Sequence, residues 1–100
     1  MKLYLTVKIG YLPSNKIIGI SKLTRIVEYF AKRLNTQEYF TNNIANYLNN
    51  VLSPAGIGVI VEGRHLCKEM RGVKSDSTMV TYKFVGNFLD PVIQEKFTKL

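Results

Sequence analysis

The chain has 100 residues, 46% of them hydrophobic and 21% charged, and no run reaches the roughly 18 apolar residues that a membrane span needs. Fourteen Lys and Arg against seven Asp and Glu give a net charge of +7, which favours an anionic partner: nucleic acid, phosphorylated metabolite and acidic protein all qualify. The single cysteine, Cys67, excludes an internal disulfide framework and a four-cysteine zinc knot.

The opening MKLYLTVKIGYLP carries neither a long apolar segment nor a small-residue cleavage site, so a cytoplasmic protein is expected. No repeat, low-complexity stretch or basic block divides the chain, and one domain over residues 1–100 is expected, with a radius of gyration of about 13 Å if compact.

Leu3, Leu5, Val7 and Ile9 alternate with polar neighbours, the period of a half-buried strand that stops near Pro13. Leu23, Ile26, Val27, Phe30, Ala31 and Leu34 form the stripe of an amphipathic helix, with Ser21 expected as its N-cap. A second stripe, Phe40, Ile44, Tyr47, Leu48, Val51 and Leu52, starts after Thr36 as cap and ends at Ser53-Pro54, since proline cannot continue a helix. Ile57, Val59 and Val61 open another alternating run, which carries Gly63, His65 and Cys67 onto the same face. A polar turn around Arg71-Gly72 and Ser75 leads to a return strand over Thr78–Phe88, and Asp90-Pro91 opens a short closing helix. The expected fold is α+β: an antiparallel sheet of three strands, both long helices on one face, and open sheet edges that invite a neighbour.

Three places can carry chemistry. His65 and Cys67 put an imidazole and a thiol about 6–7 Å apart on one strand face, close enough to share a metal or simply to be buried. A zinc site needs three or four ligands, and these 100 residues hold no other Cys or His. Ser21, Lys22 and Arg25 share the first turn of a helix, where free N–H groups and the helix dipole favour an anion, although a solvated helix start reads the same way. Arg71-Gly72 carries a similar ambiguity. Glu38 sits near the start of the second helix, as dipole compensation or as an acceptor for a base.

In order and spacing, Gly10-Tyr11-Leu12-Pro13, Gly19-Ile20-Ser21-Lys22-Leu23 with Arg25-Ile26-Val27-Glu28, Gln37-Glu38, Val61-Glu62, His65-Leu66-Cys67, Met70-Arg71-Gly72-Val73, Val80-Thr81 and Gly86-Asn87-Phe88 resemble the C-terminal part of GTP cyclohydrolase I, from Val7 onward. The resemblance implies the family's zinc-dependent conversion of GTP and water to 7,8-dihydroneopterin triphosphate and formate, the entry to folate or biopterin. It implies that Cys67 is a zinc ligand, and His65 a catalytic acid/base beside the activated water. By the same resemblance Glu38, with Gln37 beside it, recognises guanine, Lys22, Arg25 and Arg71 hold the triphosphate, and Ser21 lies near the ribose and phosphates. The implied fold is the tunnelling fold, whose subunits join sheets into rings that stack as a decamer, with active sites between subunits.

The family's Cys-Glu-His-His segment, carrying two further zinc ligands and a histidine, precedes the strand matching Thr6–Pro13, and with it come the first strand of the sheet and the N-terminal helices. This chain is expected to start after them, to supply one zinc ligand of three, and to release no formate from GTP unless another polypeptide complements it. The family's Gln-Glu-Arg reads Gln37-Glu38-Tyr39 here, and the Ser or Thr usual after Thr81 is Tyr82. A different class of function also stands: a non-catalytic basic module that binds a nucleotide, nucleic acid or partner protein.

Overall fold

The computed structural model describes the backbone of residues 2–67 and 75–100 and the side chains of residues 4–64 and 78–100. Strand β1 (Lys2–Leu12) leads to helices α1 (Ile20–Lys32) and α2 (Gln37–Leu52), then strands β2 (Gly56–Cys67) and β3 (Ser75–Gly86), a short 3-10 turn (Asn87–Leu89) and helix α3 (Pro91–Thr98). The strands form an antiparallel sheet in the order β1-β2-β3, with Val7 opposite Val61 and Val61 opposite Thr81. This is the α+β arrangement that the alternating and helical periods predict.

The period-two pattern of β2 buries Ile57, Val59 and Val61 completely beneath the helices, where they meet Phe40, Ile44 and Leu48 of α2. Each such side chain contributes about 1.5–3 kcal/mol by leaving water. Leu5, Val7, Ile9 and Tyr11 of β1, and Leu23, Val27 and Phe30 of α1, close the sides of the same cluster. Helix α2 lies across β2 and β3, and α1 packs beside α2. The Thr36 hydroxyl caps α2 by accepting from the Tyr39 N–H, and the helix ends where Ser53 turns left-handed at φ 44° before Pro54. Tyr47, expected in the core stripe, is instead exposed, and Thr41 and Ala45 are buried in its place. The buried face of α2 is rotated toward the sheet, which leaves Tyr47 at the seam with α1, its ring edge-on to Phe30 at 5.9 Å.

Helix α3 covers one end of the other sheet face. Phe88 and Phe97, edge to face at 5.3 Å, sit over Gly10 and Gly58, where an added Cβ would lie 2.8 Å and 2.6 Å from their rings. The Nζ of Lys8 donates to the carbonyls of Phe97 and Thr98 near the end of α3, which ties that helix to β1. The radius of gyration is 15.3 Å, above the value expected of a compact chain of this length, because strands of 11 or 12 residues outrun the helices that cover them. Among the described residues no helix is long and apolar enough to cross a membrane.

Candidate active site

The start of α2 is pinned to the sheet. Gln37, the first helical residue, sends its carboxamide over β2 and β3, where Nε2 donates to the carbonyls of Val61 (3.1 Å) and Met79 (2.9 Å) and to the Thr81 hydroxyl (3.2 Å). Thr41, one turn on, donates to the Gln37 carbonyl at 2.9 Å and meets the Thr81 hydroxyl at 2.6 Å. Beside this network Glu38 is exposed and lines a cleft of about 350 Å³ with Thr41, Asn42, Val80, Thr81 and Tyr82. The cleft follows β3, an edge strand of the sheet. A carboxylate accepts two N–H donors side by side. Tyr82, which stands where the family resemblance leads one to expect Ser or Thr, forms part of the wall.

The start of α1 is built differently. Gly19, extended at φ −76° and ψ 153°, occupies the N-cap and supplies no side-chain cap, so Ser21 lies inside the first turn and does not cap the helix. The helix begins one residue before the serine because Ile20 already takes helical geometry and Leu23 N–H bonds back to the Gly19 carbonyl at 3.0 Å. Ser21, Lys22 and Arg25 then line a cavity of about 820 Å³ with Ile26, Tyr29, Phe30 and Tyr47. Among the described residues the ion pair is Glu95–Lys99, which leaves the Lys22 and Arg25 cations outside any such pair. First-turn N–H groups, a hydroxyl and two cations three positions apart make an anion-binding surface backed by aromatic rings.

These two clusters do not meet within one chain. A short turn folds α1 and α2 into a hairpin, so their starts face opposite ends of the helix layer, roughly 20 Å apart for a helix of 13 residues at 1.5 Å each. The α2 start lies over Val61 and Gly63, late in β2. The approach to α1 lies by the end of β1, where Ile18 N–H donates to the Tyr11 hydroxyl and Tyr11 pairs with Ile57. The backbones of His65 and Cys67 continue β2 two and four residues beyond Gly63, opposite Ser77 and Ser75. Their side chains, and Arg71 altogether, lie outside the described residues. Among the described residues no cluster of three His, Cys, Asp or Glu side chains gathers that can hold a metal.

The part that Gly63, Thr41 and Thr81 play in holding Gln37 escapes a reading of sequence alone. The one available signal was a glycine within a strand, which marks close approach of another group. Here that group is the Gln37 carboxamide, whose Oε1 fills the place of a Cβ.

The family model described as GTP cyclohydrolase I matches residues 1–100. The chain belongs to that family. It is similar to GTP cyclohydrolase 1 of Drosophila melanogaster, 50% identical over 97% of this chain and 31% of the relative. It is also similar to GTP cyclohydrolase 1 of Homo sapiens (48% identical, 94% of this chain, 38% of the relative) and of Leptospira biflexa (45% identical, 92% of this chain, 51% of the relative). The chain therefore spans about a third to a half of the length of these curated relatives. Its three-stranded antiparallel sheet with helices agrees with the tunnelling fold of GTP cyclohydrolase I.

Proposed function

We propose that this chain forms part of a GTP cyclohydrolase I active site, which turns GTP and water into 7,8-dihydroneopterin triphosphate and formate. The family match over residues 1–100 carries this reading. Glu38 accepts the N–H donors of guanine in the edge cleft, with Gln37 beside it. Ser21, Lys22 and Arg25 hold the triphosphate in the aromatic-backed cavity, and Arg71 adds a cation to it. Because the two clusters occupy opposite ends of the helix layer, one substrate reaches both only when the Glu38 cleft of one copy faces the Lys22 and Arg25 cavity of another. Two edge strands, β1 and β3, offer the means of joining copies sheet to sheet.

The donor chemistry fits a share of a zinc site and not a whole one. Three protein ligands are usual at a catalytic zinc; these 100 residues hold one Cys and one His, and the family resemblance places the further ligands in a Cys-Glu-His-His segment that these residues do not contain. Cys67 is the proposed ligand, and His65 the group that holds and returns a proton during ring opening. Zinc, when bound, supplies a Lewis acid and an acidified water for attack on C8 of the guanine ring.

The test is native mass spectrometry of the protein purified from its own cells, read beside formate release from GTP with and without a chelator. A ring with about one zinc per chain and a second small polypeptide, and formate release that chelation abolishes, is the expected result. A zinc-free 11.4 kDa species that releases no formate and binds any polyanion as well as GTP would instead establish the basic binding module.

A further inference from the structure

The hydrogen bonds at the start of α2 have a direction. The Thr41 hydroxyl gives its proton to the Gln37 carbonyl, which can only accept, so the proton between Thr41 and Thr81 belongs to Thr81. The Thr81 oxygen in turn accepts from Gln37 Nε2. The chain of donors thus leaves the side chain of Gln37 and returns to its own backbone carbonyl. Both hydrogens of the carboxamide nitrogen are shared among three acceptors. The other end of the carboxamide rests on Gly63, where an added Cβ would fall on Oε1 and 2.9 Å from Cδ. Thr41 is 1% exposed, whereas Gln37 and Thr81 are half-buried, so it is at the Thr41 end of this ring that a missing partner is most costly.

We propose that Gln37 is a positioning residue: it fastens the first turn of α2 to β2 and β3 and so aims Glu38 into the edge cleft, without itself touching the substrate. Successive helical residues are turned by about 100°, so anchoring Gln37 downward on the sheet sends Glu38 sideways along β3. The recognised group is a base with two adjacent N–H donors, the N1–H and 2-amino group of guanine, matched to the two oxygens of one carboxylate. This inference rests on the reading that Glu38 meets guanine. Gly63 is part of the same device, since only a residue without a side chain leaves room for the carboxamide.

The experiment is equilibrium binding of GTP and of inosine triphosphate, which lacks the 2-amino group, to the assembled protein. Melting temperature is recorded for wild type, Glu38→Gln, Gln37→Ala, Gly63→Ala, Thr81→Val and the Gln37→Ala/Gly63→Ala double variant. Wild type is expected to prefer GTP by about tenfold or more, the scale of a charge-assisted hydrogen bond. Glu38→Gln removes that preference, and Gly63→Ala and Thr81→Val each cut it several-fold although neither removes the carboxylate. The double variant is no worse than Gln37→Ala alone, because the Cβ conflict exists only while the carboxamide is present. Full preference in Gly63→Ala and Thr81→Val with its loss in Gln37→Ala would make Gln37 a direct contact and overturn the proposal, as would additive effects in the double variant. If wild type shows no preference, or Glu38→Gln keeps it, the guanine reading of Glu38 falls and the proposal falls with it. Should Gly63→Ala fail to fold, Thr81→Val decides alone.

Discussion

Two helix starts in this protein each carry a charged residue in the first turn, Lys22 in α1 and Glu38 in α2, and differ in what holds them. At α2 the cap is a threonine side chain, the first carboxamide is spent on the sheet, and a buried threonine closes the circuit. At α1 the cap is a glycine with no side-chain bond, and the serine and lysine of the first turn and the arginine of the second lie exposed around a cavity. The difference suits the two tasks proposed for them. A carboxylate that is to discriminate between bases gains from a rigid mount, whereas cations that are to receive a flexible polyphosphate act through charge, which falls off slowly with distance and tolerates a looser frame.

The platform common to both starts is the place to produce the largest effect. Leu48→Ala empties a fully buried position of α2 in the core cluster that α1 also joins and should cost about 2–5 kcal/mol in denaturant unfolding, disturbing the two ends together. A smaller change that separates them is the double replacement of Lys22 and Arg25 by Ala. Titration with inorganic tripolyphosphate should show a roughly ten- to hundredfold loss of affinity, with the melting temperature held, and the wild-type affinity should itself fall as salt rises. Thr36→Ala strikes the clamped end alone and should remove about 1 kcal/mol of stability. Ser21→Ala is the matching substitution at the open end. It should alter stability by less than about 0.5 kcal/mol, because the serine caps nothing, and a cost equal to that of Thr36→Ala would erase the distinction between the two starts.

Local pattern carried the elements well because it reports what must be buried. The alternation at Ile57, Val59 and Val61 and the stripe through Ile26, Ile44 and Leu48 each mark a face that water must leave, and the chain folds to hide those faces. It failed where two faces compete. Tyr47 satisfies the helical period, yet it lies at the seam of α1 and α2 and not on the sheet, and nothing local tells one apolar direction from the other. Ser21 likewise satisfies the composition of a cap, but the extended Gly19 takes that position. Helix α3 on the second sheet face depends on Gly10 and Gly58 meeting Phe88 and Phe97, residues more than 25 positions apart in every pairing. For the site, the residue types at Ser21, Lys22, Arg25 and Glu38 were visible as candidates, whereas the Gln37, Thr41, Thr81 and Gly63 circuit joins three elements and has no local trace beyond one glycine in a strand.

By itself the sequence determined the order of strands and helices, most of their buried faces and the basic charge, since each follows from residue type and spacing along the chain, and its motifs carried the resemblance to the family. Only the tertiary structure decided that the Lys22–Arg25 and Glu38 clusters stand at opposite ends of the helix layer, and that Gln37 is committed to the sheet. Both facts depend on the packing of α2 across β2 and β3, where contacts between residues 24 to 44 positions apart set direction, and one-dimensional spacing cannot encode that direction.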